Sequence, residues 1–262
     1  MLFFFFTLFA QSIDDFQQHS NTSQEEIDHD SFNMFLQKYT VILRDGRSVV
    51  KYKDAKHTKA ARDLLNDYIN YLKSIPIAHY NKREQLAFWI NLYNALTILL
   101  VLDHYPVKSI QDINIGFLSF FGPWKQKLIK ISGVELSLYD IENNILRTFW
   151  KDARIHYALN CASYSCPNLR NQAYKGKDID LILDRVASLY INHRRGVAVD
   201  ADNGYLRASK IYKWYSGDFE PSVLEHLKKY ARPDLKEALE HRNWIDGYDY
   251  DWRLNDFEEP RK

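Results

Sequence analysis

The segment His156–Pro167 concentrates the side chains best suited to chemistry: an imidazole, the chain's two cysteines, Cys161 and Cys166, and the hydroxyls of Ser163 and Ser165. Four readings of it compete. A thiolate at Cys161 or Cys166 with His156 as its base would make a Cys/His-dependent hydrolase or acyl transferase, with Cys161 the first-choice nucleophile. A bond between the two sulfurs would be a structural or redox-active disulfide. His156 with both thiols would give a three-ligand zinc site, but H-x4-C-x4-C is not a zinc signature, and no cofactor is expected. In the fourth reading His156 is a satisfied core histidine and the thiols are small buried hydrophobes.

The elements around this segment decide which side chains meet. Arg154–Asn160 (RIHYALN) alternates like a strand, which would turn Arg154, His156, Ala158 and Asn160 to one side. Cys161 would then face away from His156 unless the chain bends after Asn160. Arg83–Tyr105 is hydrophobic nearly all round, the mark of a buried central helix. Asn91 and Asn94 lie three apart on it and share a face. Burying an unsatisfied amide costs roughly 1–3 kcal/mol, so each must bond to something, and bracing a loop is favoured over contacting a ligand. Ser137 is a suitable N-cap for a helix over Leu138–Phe149. Glu142 and Arg147 sit on that helix at i, i+5, a spacing that does not pair side chains on an α-helix.

The remaining pattern predicts helices over 31–39, 56–75, 178–192, 211–219, 222–230 and 233–239. Strands are predicted at 46–52, with hairpins around Ser132-Gly133 and Asp202-Asn203-Gly204. Residues 109–121 read as a loop or short helix, and the aromatic run 244–254 as a cover over the core. Asp218 reads as a helix-end brace, and Arg194-Arg195 as a solvated helix end. Asp249 and Asp251 alternate with aromatics but lack the glycine-containing loop of a calcium site. The expected fold is α+β: one domain with a buried central helix packed on a small antiparallel sheet.

Composition limits the partners. The chain has 262 residues, and Lys+Arg 35 against Asp+Glu 34 leaves a net charge of +1. No global field points to nucleic acid or an anionic membrane. Met1–Gln11 (MLFFFFTLFAQ) is shorter than the roughly 20 residues of a membrane-spanning helix. It fits the apolar core of a secretory signal peptide ending near Ala10-Gln11, although a basic leader is missing. The expected boundaries are a signal peptide over 1–11, a loose polar arm over 12–30, the domain over 31–256 and a charged tail over 257–262. A periplasmic or secreted protein follows, and there an even cysteine count favours a disulfide. Closing so short a loop would stabilise by only about 2 kcal/mol.

Several stretches together resemble the DUF547 family, a domain of unknown function. They are FWINLYNA (88–95), LSLYDIENNILR (136–147), DARIHYALNCASYSCPNL (152–169), IYKWYSGDF (211–219) and YDYDWRLN (248–255). The family pattern has Glu-His after the Asp-Ile step. Glu142 is kept here, but Asn143 stands where that histidine is expected, so a mechanism using that imidazole does not carry over. The resemblance implies no established reaction. Relatives joined to glutaredoxin-like modules imply thiol redox chemistry by association. A looser likeness is to papain-like and transglutaminase-like folds, in which the buried helix presents a cysteine; here it offers only Asn91 and Asn94.

Three functions follow as expectations. One is the hydrolase or acyl transferase. Another is a non-enzymatic binding protein for a small molecule or peptide, with Asn91, Asn94, Glu142, Arg154, His156 and Asn160 around a pocket. The third is a thiol–disulfide protein. Neither nucleic acid nor a membrane span is expected, and the sequence does not indicate an oligomeric state.

Overall fold

The structure is a computed structural model that describes residues 12–113 and 122–257. The expected signal peptide, part of the 109–121 loop and most of the charged tail lie outside the described residues.

After a 3-10 turn at Ile13–Gln17, the chain runs α1 (Asp30–Tyr39), β1 (Thr40–Ile42), β2 (Ser48–Val50), α2 (Tyr52–Lys56), α3 (Lys59–Ser74) and α4 (Lys82–His104). The hairpin β3 (Lys127–Ile131) and β4 (Val134–Ser137) leads into a π-helix, Asp140–Leu146, continued by α5 (Arg147–Trp150). A 3-10 turn (Ala153–Tyr157) and the cysteine loop precede α6 (Ile179–Ile191). Then come β5 (Val197–Val199), β6 (Leu206–Ser209), α7 (Ile211–Trp214), α8 (Val223–Tyr230), α9 (Pro233–Glu240) and β7 (Gly247–Asp249). The fold is α+β. β1 pairs with β2 and β3 with β4, both antiparallel, and in the third sheet β6 lies between antiparallel β5 and parallel β7.

α4 is the axis of the larger core. It is long and apolar enough to cross a membrane, but nearly all of it is buried inside the protein. Asn81 starts it, its side chain accepting the N–H groups of Arg83 and Glu84. Glu84 is itself buried and accepts the N–H groups of Ile27 (3.3 Å) and Gly176 (2.9 Å). A Cβ at Gly176 would lie 2.7 Å from the Glu84 nitrogen, so only glycine lets the two backbones approach this closely. The smaller core joins α6, the β5–β6 hairpin, α7 and α8.

Two expectations need correction. The arm is not loose: Phe16 is buried and meets Trp89 of α4 edge-on, with ring centroids 4.9 Å apart. Arg154–Asn160 is not a strand. Lys151 adopts a left-handed conformation (φ 51°) that ends α5, and the Asp152 side chain then accepts the Arg154 N–H at 2.9 Å, starting a 3-10 turn. Ile155 through Asn160 are all buried, so the apparent alternation did not separate two faces.

Candidate functional site

The turn places Ile155 in the larger core and Tyr157 in the smaller one, with His156 at the seam. His156 Nε2–H donates to Asp218 Oδ2 at 2.7 Å. Its ring lies against Tyr215, centroids 4.2 Å apart, and contacts Phe219 on another side. Asp218 also takes two hydrogen bonds from Arg147, Nε to Oδ2 (2.5 Å) and Nη2 to Oδ1 (2.8 Å). Burial works against its ionisation, but the bonds from His156 and Arg147 hold the Asp218 carboxyl well below the usual carboxylate range. Asp218 therefore fixes the imidazole and leaves Nδ1 with no partner among the described residues.

Arg147 and Glu142 meet the same cleft because the helix carrying them is a π-helix. Ser137 caps the helical turn at Leu138-Tyr139 that leads into it: its Oγ accepts the Asp140 N–H at 3.1 Å, and Asp140 Oδ2 accepts the Ser137 N–H at 2.8 Å. The i→i+5 closure, Arg147 N–H to Glu142 C=O, puts residues five apart on one face. They still form no ion pair with each other: Glu142 is buried and accepts from Tyr93 (3.2 Å) and Tyr215 hydroxyls. Asn143 accepts a third Arg147 hydrogen bond at 2.5 Å, so where the family pattern has histidine this chain has a brace for Arg147.

The cysteine loop forms the opposite wall. Cys161 and Cys166 are free thiols with sulfurs 2.6 Å apart, longer than the roughly 2.05 Å of a disulfide. The Cys161 N–H donates to Cys166 Sγ at 2.8 Å. The Tyr250 hydroxyl lies 3.2 Å from Cys161 Sγ and accepts from Ser163 Oγ at 2.8 Å. Burial opposes ionisation of Cys166, but the bonds from Cys161, Tyr250 and the loop amides bring its pKa below the ordinary thiol value. Cys161 is held above it, first by donating to Cys166 and then by burial. Neither sulfur is hydrogen-bonded to His156. Both walls enclose a cleft of about 430 Å³, within the roughly 300–1,000 Å³ of small-molecule sites.

Of the expected site residues, His156, Cys161, Cys166 and Glu142 line this cleft. Asn91 and Asn94 do not. Asn91 bonds both ways to the Tyr174 backbone (2.8 and 2.9 Å), and Asn94 donates to Ala158 C=O (3.0 Å) and accepts the Asn160 N–H (2.8 Å). Asn160 ties the loop itself, donating to Pro167 C=O at 2.7 Å and accepting the Ala162 N–H at 3.1 Å. Arg154 faces a separate polar basin, where it meets Asp152, Asp180 and Asp184. Without a strand, nothing turns it toward His156. Arg195 is buried, not solvated, and its guanidinium holds Tyr164 C=O, Cys166 C=O and Asn168. Asp249 and Asp251 pair with Arg207 and Arg253, and no group of three metal-ligating side chains occurs among the described residues. Sequence reasoning missed Tyr215 and Tyr250 and took Asp218 only as a brace. The available signal was the clustering of aromatics around the carboxylates at 214–219 and 248–252.

With this geometry in place, comparison with known proteins gives one match. Residues 77–191 match the DUF547 family model. Its description is "Protein of unknown function, DUF547". No curated protein and no solved structure matches significantly, so the papain-like or transglutaminase-like likeness has no support. The DUF547 match runs from the turn before α4 to the end of α6. It includes the π-helix, His156 and both cysteines; Asp218, Tyr215 and Tyr250 come from beyond it.

Proposed function

We propose that the cleft is a thiol–disulfide exchange site. The observation carrying this reading is the 2.6 Å contact between Cys161 and Cys166 sulfurs in the wall of a ligand-sized cleft, with the Cys161 N–H on Cys166 Sγ. Cys161 is the less buried cysteine. After passing its proton to Cys166 across their contact, Cys161 attacks as a thiolate one sulfur of a substrate disulfide R–S–S–R, forming the mixed disulfide Cys161–S–S–R and releasing RS⁻, which takes that proton back from Cys166. The Cys166 thiolate then attacks Cys161 Sγ and releases the second RS⁻. The pair ends oxidised, the substrate ends as two thiols, and the reverse sequence oxidises a dithiol. A leader at Met1–Gln11 would deliver the pair to an oxidising compartment.

The test equilibrates the protein in glutathione buffers of graded potential, quenches with iodoacetamide and weighs it. A reversible transition between two alkylated thiols and none is expected, and it disappears in Cys161→Ser and in Cys166→Ser. Two alkylated thiols at every potential would overturn the reading.

The His156–Asp218 bond favours a second reading, a Cys/His-dependent hydrolase or acyl transferase, because a carboxylate-oriented imidazole borders the same cleft. The two readings divide on variants. Hydrolysis needs one cysteine and His156, whereas exchange to an intramolecular disulfide needs both cysteines and survives His156→Gln.

A further inference from the structure

The mouth of the cleft is aromatic. Trp124 meets Trp252 at 5.5 Å between ring centroids, Tyr250 meets Trp252 at 4.7 Å, and Trp214 touches both Tyr250 (4.9 Å) and Trp252 (5.6 Å). Trp214 is 45% exposed, a large indole kept at the surface of the cleft. Inside stands Glu142, 9% exposed, with only tyrosine hydroxyls on its carboxyl group among the described residues. The cation of the cleft wall, Arg147, is committed to Asp218 through two bonds and to Asn143 through a third. Arg147 and Asp218 offset one another, and among the described residues no cation is hydrogen-bonded to the Glu142 carboxyl. A buried carboxyl without an ion-pair partner either stays protonated or favours a cationic ligand that comes to it. Aromatic faces carry the negative part of the ring quadrupole and attract the same kind of ligand.

We infer that Glu142 and the walls formed by Trp124, Trp214, Tyr250 and Trp252 are a subsite for an alkylammonium group. In the exchange reading, on which this extension rests, the substrate is then a disulfide carrying an ammonium group. Tyr250 links the two halves, since it belongs to the aromatic wall and its hydroxyl touches Cys161 Sγ.

The subsite is tested apart from the thiols by titrating the Cys161→Ser, Cys166→Ser double variant with choline and with its uncharged carbon isostere, 3,3-dimethyl-1-butanol, following tryptophan fluorescence. Choline should bind about tenfold more tightly than the alcohol. That preference should vanish in Glu142→Gln and shrink in Trp214→Ala, whose exposed position keeps the test valid if the Glu142 variant does not fold. Equal affinity for the two ligands, or a preference unchanged in both variants, would overturn the subsite. The second arm compares oxidation of the reduced native protein by cystamine and by 2-hydroxyethyl disulfide. Faster reaction with cystamine, lost in Glu142→Gln, is the expected result. Equal rates overturn the ammonium substrate and leave exchange standing. No reaction with either disulfide, alongside selective choline binding, overturns exchange and supports the subsite.

Discussion

The Cys166 sulfur accepts a main-chain N–H, while the Cys161 sulfur meets a phenol whose oxygen is already accepting from Ser163. Because Ser163 donates to Tyr250, the Tyr250 proton is free to point at Cys161 Sγ. Tyr250→Phe removes that donor and should move the pH midpoint of iodoacetamide alkylation upward by about one unit, the worth of one hydrogen bond of about 1 kcal/mol. An unchanged midpoint would mean that the hydroxyl does not stabilise the thiolate. Asp218 makes the complementary case. Its folded pKa lies below the unfolded value of about 3.9, so its contribution is present above that value and is lost as pH falls through the folded pKa. Asp218→Asn should cost about 1–3 kcal/mol at pH 7 in urea denaturation. The gap to the native protein should narrow below about pH 4; a gap independent of pH would show that the ion pair is not its source. Residue types at His156, Cys161 and Cys166 were legible from the sequence. Their partners were not, because Asp218 and Tyr250 reach the site only through tertiary folding, 62 and 89 residues away from His156 and Cys161 respectively.

At the scale of elements, α4 and the cysteine loop act as one piece. Asn94 satisfies one carbonyl and one N–H of the loop's entry, at Ala158 and Asn160, and Asn91 does the same for Tyr174. Asn94→Ala would orphan both backbone groups in a buried place, at about 1–3 kcal/mol each. It should lower the urea midpoint accordingly and loosen the spacing of the two sulfurs, read as slower formation of the intramolecular disulfide. Asn91→Ala should cost similar stability with little effect on the thiols, since its partner lies beyond the loop. If the two variants are indistinguishable in disulfide formation, Asn94 does not position the pair. α4 was legible because its apolar residues cover every face and leave no alternative to burial. The π-helix and the 3-10 turn were not, because neither has a hydrophobic period of its own, and a short run buried on both sides imitates strand alternation.

For the whole molecule, the cysteine loop is held from three directions: by α4, by Arg195 after α6, and by the C-terminal segment. That last segment lies outside the stretch matching DUF547. The Tyr164 N–H donates to Arg253 C=O, the Ser165 N–H to Asp251 C=O, and the Asn255 N–H to Ala162 C=O. It then continues to the first hairpin, where the Val50 N–H donates to Asn255 C=O and the Phe257 N–H to Val50 C=O. Asn255 adds side-chain bonds with Tyr52 (3.0 Å) and Asn160 (3.2 Å). This segment therefore laces the loop to the β1–β2 hairpin, a closure that no local pattern in 248–255 announces. Removing residues 250–262 takes away Tyr250, Trp252 and every one of these bonds while removing no residue of α4. Amide hydrogen exchange followed by mass spectrometry should then show residues 161–166 exchanging near the rate of an open chain, with Lys82–His104 still protected. Loss of protection across both regions together would instead make the C-terminal segment part of the global folding unit, and a loop that stayed protected would mean that α4 and Arg195 suffice to hold it.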